Sequence, residues 1–349
     1  MRSISPLKIL VLLFAFAVAA PAQLRQIAMI EIPGQPGFDA AVFADQYLVI
    51  AHSATNTLDI FDPAKRRVIA QVKDLADPRG MAVDPENARV YVANAGDGTV
   101  AVISTKSWKV EDSIKLPAPA DALLLVPARK TLYAANRNHE AISVVQIAGT
   151  SKVLSIELEG APQAMAFDPA QNLVFASLHG RAEIVALDSS NAIARRFKLN
   201  ASQPTGLAFD TQGRKLYVAV RSAVLVLDAA TGAEVARVPS ANGTDSLWFD
   251  QATHRLFAVS ADGYVNVINT QGGKYASEEE FRTEVRGHAL AFDPARNFIY
   301  LPGGREGRSK LVILRRFENP NHSSILEANK PTSLPPAEQV AQKSKPRTN

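Results

Sequence analysis

The sequence predicts an all-β fold, a seven-bladed β-propeller with four antiparallel strands per blade. Two recurring markers and one recurring strand grammar point to it. The first marker is a short opener ending in proline: Pro36, Pro78, Pro119, Pro162 and Pro204 stand 42, 41, 43 and 42 residues apart. The second is an aspartate closing a short apolar run. Asp84, Asp168, Asp210, Asp250 and Asp293 are separated by 84, 42, 40 and 43 residues, the first gap being two periods. Two markers with one period mean a tandem array, and four short strands in about 42 residues make one propeller blade.

The unit opened by Pro78 shows the grammar. Residues 80–84 form a short strand, and Pro85-Glu86-Asn87 a turn. Residues 89–94 (RVYVAN) and 99–104 (TVAVIS) are β-rich runs joined by the turn Ala95-Gly96-Asp97-Gly98, and 109–116 (KVEDSIKL) is a fourth strand. Val, Ile, Tyr and Thr suit a pleated surface, whereas Gly, Asp, Asn and Pro suit turns. The first three strands are apolar on both faces and the fourth alternates with polar residues. A sheet packed between two others, with its last strand at the rim, has that pattern.

The innermost strands add a second regularity. One face is small: Gly80 and Ala82, Ala164 and Ala166, Gly206 and Ala208, Ala289 and Ala291. The other carries Met81 and Val83, Met165 and Phe167, Leu207 and Phe209, Leu290 and Phe292. Blades converge toward an axis, so their innermost strands need room on one side.

Units open near Pro36, Pro78, Pro119, Pro162, Pro204, Gly243 and His288, which gives seven. The last unit has only three strands, at 289–293, 298–301 and 310–317. Residues 24–33 (LRQIAMIEIP) look like the fourth strands of the other units. The N-terminal strand is therefore expected to pair into the last blade, closing the ring and removing an exposed edge. Glu278-Glu279-Glu280 reads as a solvated loop or strand end.

The ends stand apart from the repeat, so the propeller is assigned to 23–317. Residues 1–22 read as a signal peptide: Arg2 and Lys8, then the apolar run 9–20 (ILVLLFAFAVAA), then Ala20-Pro21-Ala22. The apolar run falls short of the roughly 20 residues that span a bilayer. An uncleaved anchor is the alternative. No later segment is long and apolar enough to span, so a periplasmic or secreted protein is expected, cleaved near Ala22. Residues 318–349 are rich in Pro, Ser, Asn and Lys and read as a disordered tail.

Composition narrows the chemistry. Of 349 residues, 47% are hydrophobic and 21% charged, as in soluble globular proteins. The net charge of +4 is too small to imply nucleic-acid binding, and no stacking platform is visible. The chain has no cysteine, which excludes disulfides, thiolate metal sites, cysteine nucleophiles, thioether-linked haem and a lipidated cysteine.

Tyr91-Val92-Ala93-Asn94, followed by Asp97-Gly98-Thr99-Val100-Ala101-Val102-Ile103, resembles the YVTN-type β-propeller repeat of bacterial and archaeal surface and periplasmic proteins (YncE-like proteins). Tyr133-Ala134-Ala135-Asn136 and Tyr217-Val218-Ala219-Val220 are weaker copies, and residues 256–260 with Asp262-Gly263 another. The likeness spans roughly residues 24–317. It implies the fold. It says little about function, because these are strand and turn residues. Propellers of this architecture include lactone hydrolases, quinone-cofactor dehydrogenases, a multi-copper reductase domain and non-enzymatic binding proteins.

Propellers of this kind bind ligands at the mouth of the central channel. By repeat alignment, Arg79, Arg137, His179, Arg221 and His288 fall on that face and are the candidate ligand-binding residues. His52, His139, Arg181, Arg305 and Arg308 fall there too, partly offset by Asp39, Asp77, Asp121 and Asp245. Guanidinium groups around one mouth would suit a small anion, since Arg binds carboxylate or phosphate bidentately. Ordinary solvated loop residues are the other reading. His52, His179 and His288 could meet on the axis around a metal, but six histidines in the chain are too few for a histidine-rich copper cluster. No metal, cofactor or catalytic residue is assigned. G-x-S-x-G, H-E-x-x-H and P-loop patterns are missing from the sequence.

The expectation is an exported, non-enzymatic binding propeller, a monomer, whose partner is a small anion, an envelope polymer or a protein. The alternative is a lactonase-like hydrolase working at the channel mouth.

Overall fold

The computed structural model describes residues 23–148 and 152–317; the expected signal peptide and tail lie outside them. Leu24–Arg316 form one compact unit. Of the second unit, 1–23 and 317–349, only Gln23 and Phe317 are described.

The strands form seven four-stranded antiparallel sheets. Six follow the chain in order from axis to rim. The first blade is Ala40–Ala44, Tyr47–His52, Thr57–Asp62 and Arg67–Val72, and the second Pro78–Asp84, Arg89–Asn94, Thr99–Ser104 and Val110–Lys115. The seventh uses both ends: Ala291–Asp293, Phe298–Arg305 and Arg308–Phe317, with Gln23–Glu31 as its outer strand. The expected closure is thus present, over nearly the expected residues. Among the described residues the only helical turns are short 3-10 turns, and no helix is long and apolar enough to cross a membrane.

Burial follows the strand grammar. Every residue of the second strand Leu173–Leu178 is buried, whereas Val110–Lys115 at the rim buries only Ile114. The core consists of seven clusters, one between each pair of neighbouring blades. The two faces of each innermost strand serve different clusters. Met81 joins Val49, Ala51 and Leu58 of the blade before it, while Ala82 joins Leu132 and Ala134 of the blade after it. Leu207 and Ala208 divide in the same way, as do Phe292 and Ala291. Large side chains therefore point back and small ones forward. Each buried Val, Leu or Ile contributes about 1.5–3 kcal/mol, so stability accumulates interface by interface.

Two glycines mark where neighbouring innermost strands touch. A Cβ at Gly80 would lie 2.5 Å from Ala122 Cα and 2.6 Å from the Asp121 carbonyl, and one at Gly206 would run into the Asp245 carbonyl. Gly80 N–H donates to Asp121 O at 2.9 Å, a hydrogen bond between blades.

The recurring aspartate is a turn cap. Asp168 Oδ1 accepts from the backbone N–H of Ala170 and Gln171 at 3.0 and 3.2 Å, and Asp210 Oδ1 from Gln212 and Gly213 at 3.0 and 2.8 Å. Asp293 does the same for Ala295 and Arg296. Asp and Asn side chains do this locally, which is why the marker recurs with the period.

The polar residue at the end of the second strand is a strap back to the opener of its own unit. Asn136 Nδ2 donates to Ala118 O at 2.6 Å, and its Oδ1 accepts from Ser143 N and Oγ. Ser260 Oγ donates to Asn242 O at 2.5 Å, and His52 Nε2 donates to Gln35 O at 2.6 Å. Asn94 differs: it donates to Thr99 Oγ1 at 3.2 Å, and its buried Oδ1 has no partner among the described residues.

Two local expectations need correction. The hairpin of the last blade is longer than 298–301 and 310–317, because residues 302–305 pair with 308–311, and beside it Arg286 and Gly304 exchange both backbone hydrogen bonds, at 2.9 and 2.8 Å. Gly303 permits this approach, since a Cβ there would stand 2.6 Å from Arg286 O. Glu278, Glu279 and Glu280 are not a loop but the middle of the outer strand Ala276–Arg282. Glu279 accepts from Leu24 N–H at 2.9 Å, and Glu278 pairs with Arg255 and Arg316 at 2.7 and 3.1 Å, so the acidic run anchors the closing blade.

Candidate functional site

The residue just ahead of each small innermost position falls in one register. In blade order these are Asp39, Arg79, Asp121, Gln163, Thr205, Asp245 and His288, and all line a central cavity of about 670 Å3. They form a polar collar. Below it the wall is apolar, including Leu123, Met165, Leu247 and Leu290. The strand register slips between Pro78 and Met81, between Pro162 and Met165, and between Thr244 and Ser246. Such bulges re-aim side chains and recur beside functional sites; these three carry Arg79, Gln163 and Asp245.

Arg79 is the hub. Its Nε and Nη2 donate to Asp77 Oδ2 at 3.1 and 3.0 Å. Its Nη1 lies 3.4 Å from Asp39 Oδ1 and 3.5 Å from Asp121 Oδ1, so one guanidinium joins three blades. Burial opposes its charge, but the hydrogen bond to Asp77 and the carboxylates of Asp39 and Asp121 outweigh it and raise its pKa. The Asp121 carboxyl is pushed above its ordinary value, chiefly by burial, with Arg79 and Arg137 pulling down and Asp39 and Asp77 pushing up.

Arg137 comes from the 3-10 turn Arg137–His139 and also lines the cavity. With the Gln163 amide oxygen facing it, Arg137 donates through Nε, Nη1 and Nη2 at 2.8, 3.1 and 3.2 Å. His288 is half-buried in the wall and makes no hydrogen bond among the described residues.

Three of the five expected ligand residues, Arg79, Arg137 and His288, therefore converge on the cavity, whereas His179 and Arg221 do not line it. His179 is half-buried at the start of its 3-10 turn. Burial lowers its pKa first, Arg137 lowers it further, and Asp245 opposes both. Arg221 is exposed in a tight turn, where its carbonyl accepts from Gly243 N–H at 2.7 Å. His52 is fully buried, held by Asp59 at 2.7 Å on Nδ1 and by Gln35 O on Nε2, so neither nitrogen is free for a ligand. Gln163 and Thr205 escaped notice because neither is charged. Both directly follow an opener proline, as Arg79 does, and that register was the available signal.

Fold and cavity define a seven-bladed propeller with a polar collar around its axis. Residues 64–195 match the model of a family described as "Lactonase, 7-bladed beta-propeller". That segment carries Arg79, Asp121, Arg137 and Gln163 but not Asp39, Asp245 or His288. No curated protein matches the chain. A chain in a crystal structure of the mitotic checkpoint complex is similar in fold, with a TM-score of 0.74 at 11% identity. The alignment covers 91% of this chain and 99% of that one. At that identity the likeness concerns the fold alone.

Proposed function

We propose that the protein is an exported, non-enzymatic binding propeller that holds a small polar ligand, as a monomer, in its axial cavity. The observation that carries this reading is the self-pairing of the collar. Arg79 is held by three carboxylates and Arg137 by Gln163. A catalytic site needs an acid or base paired with an orienting group, and His288 has no such partner among the described residues. Asp39, Asp77, Asp121 and Asp245 stand around two arginines, a balance that favours ligands rich in donor groups over anions. Export rests on the character of residues 1–22.

A thermal-shift screen of small polar compounds and metal ions, run on the parent and on Arg79→Ala, tests the reading. A ligand at about 100 times its Kd adds about 2.7 kcal/mol of apparent stability. The reading expects a stabilising compound whose effect shrinks in Arg79→Ala; indifference to that substitution for every stabilising compound removes the collar from the site.

A second reading, a lactonase-like hydrolase, is favoured by the family description that residues 64–195 match. It would use His288 as base and Arg79 or Arg137 to stabilise the developing oxyanion. Lactone turnover by the parent, abolished in His288→Ala while ligand stabilisation persists, would establish it. No turnover across a panel of lactones would end it.

A further inference from the structure

One wall residue departs from the propeller's own rule. The position occupied by Val42, Ala82, Leu124, Ala166, Ala208 and Ala291 in six blades is Trp248 in the sixth. Its neighbours in register are small or aliphatic, whereas this indole stays 42% exposed while lining the cavity. It leans on Phe292, ring centroids 6.2 Å apart and 41° between planes. Leaving so large an apolar surface wet inside a concavity forgoes the stabilisation that burial would give. The same strand carries Asp245, three residues nearer the mouth, hence about 10 Å away along the strand. Asp245 sits at the bulge, and its carboxylate makes no hydrogen bond or ion pair among the described residues, interacting only electrostatically with His179. Asp39 and Asp121 share the collar with it, on either side of Arg79.

We propose that the cavity takes a flat organic cation, its aromatic body stacked on Trp248 and its cationic group directed to Asp245, with Asp39 and Asp121 beyond. An indole face attracts both π-systems and cations, and an unpaired carboxylate in a partly desolvated wall gains most from a cationic partner. The proposal rests on the axial-cavity reading and adds the ligand's shape and charge.

Trp108 and Trp248 are the only tryptophans of the chain, and Trp108 packs on Tyr47, centroids 5.9 Å apart, outside the cavity lining. Trp108→Phe therefore leaves Trp248 as the sole indole reporter. Three isosteric probes differ only in charge: benzamidine, benzamide and benzoate. Benzamidine is expected to change Trp248 emission saturably in the millimolar range, with benzamide about tenfold weaker and benzoate weaker again. Asp245→Asn should bring benzamidine down to benzamide. By calorimetric titration, Trp248→Ala should bind benzamidine about tenfold less tightly and Trp248→Phe nearly as the parent does. Alanine already occupies this position in four blades, so the variant keeps the fold. Benzoate binding as tightly as benzamidine, or no loss in Trp248→Ala, overturns the inference and leaves the axial-cavity reading standing. No saturable response to any probe, with no compound stabilising the parent in the thermal screen, overturns both.

Discussion

Gly80→Ala tests how tightly the blades are pressed together at the axis. The new methyl would fall 2.5 Å from Ala122 Cα, 2.6 Å from Asp121 O and 2.9 Å from Leu123 N, all of them backbone atoms of the next blade. Carbon atoms rest at about 3.5–4.0 Å, so the two strands must part by roughly 1 Å. Overpacking of this kind costs about 1–3 kcal/mol. Parting the strands also stretches the 2.9 Å hydrogen bond from Gly80 N to Asp121 O, a further ~1 kcal/mol. Against this, alanine restricts the unfolded chain and returns roughly 0.4–1 kcal/mol. The net is a loss of about 2 kcal/mol. With about 2.1 cal/mol/K of unfolding entropy per residue over a unit of this size, that lowers Tm by roughly 3 °C. Gly180→Ala is the control, because a Cβ there meets nothing within 4 Å and its φ is not positive. Calorimetric melting of the three proteins decides. Gly80→Ala as stable as the parent, or Gly180→Ala as damaged as Gly80→Ala, would refute the close-contact argument. Because Gly80 lies between Arg79 and Met81 in a strand that touches Asp121, the same variant should also weaken any ligand held by the collar.

Other perturbations have equally definite outcomes. Deleting residues 24–32 removes the outer strand of the last blade, including buried Leu24 and Ile32, and should cost on the order of 5 kcal/mol, a Tm drop of roughly 8 °C; melting within a degree or two of the parent would contradict ring closure. Arg79→Ala leaves Asp39, Asp77 and Asp121 facing one another without their cation. A carboxyl whose folded pKa is raised, as Asp121's is, binds more protons folded than unfolded, so its contribution to stability falls as pH rises above the unfolded value. The variant raises that pKa further, so its deficit relative to the parent should be small near pH 3 and grow toward pH 7 in denaturation curves; a deficit independent of pH would contradict the pairing. Asn136→Ala strips partners from Ala118 O, Pro119 O and Ser143 and should cost about 2–3 kcal/mol, whereas Asn94→Ala, losing one bond to Thr99, should cost about 1 kcal/mol in urea titrations.

The sequence displayed the scaffold because the scaffold repeats. Asp168 and Asp210 cap the same turn in successive blades, so their spacing carries the period to the surface of the text. Met81 and Ala82 serve different interfaces, so their contrast in size is visible without coordinates. The closing strand was legible because it resembles outer strands and the last unit lacked one. The site was less legible, because contacts between blades join residues one period apart. Nothing local to Arg79 reveals that Asp39 and Asp121, some forty residues away on either side, share its guanidinium. His52 looked like a mouth residue because it ends a second strand ahead of the loop that the repeat places there, yet it turns inward to Asp59. Trp248 was hidden by the aspartate marker: WFDQ reads as one more copy of AFDP, and the exchange of alanine for tryptophan matters only on a wall that faces a cavity.

The pairing of Gln23–Glu31 beside Arg308–Phe317 also sets an order of events. A chain made from its N-terminus presents the Gln23–Glu31 segment before any other strand of the ring, and its hydrogen-bonding partner Arg308–Phe317 follows the other six blades. Throughout that interval an apolar strand waits with its backbone groups unmatched, the state most liable to pair with a stranger. The first six blades can assemble behind it from neighbouring segments, but the seventh cannot seal until Arg308–Phe317 has been made. Ring closure by distant segments therefore leaves one strand edge open for the whole interval between the two, and shielding that edge protects the growing chain from mispairing.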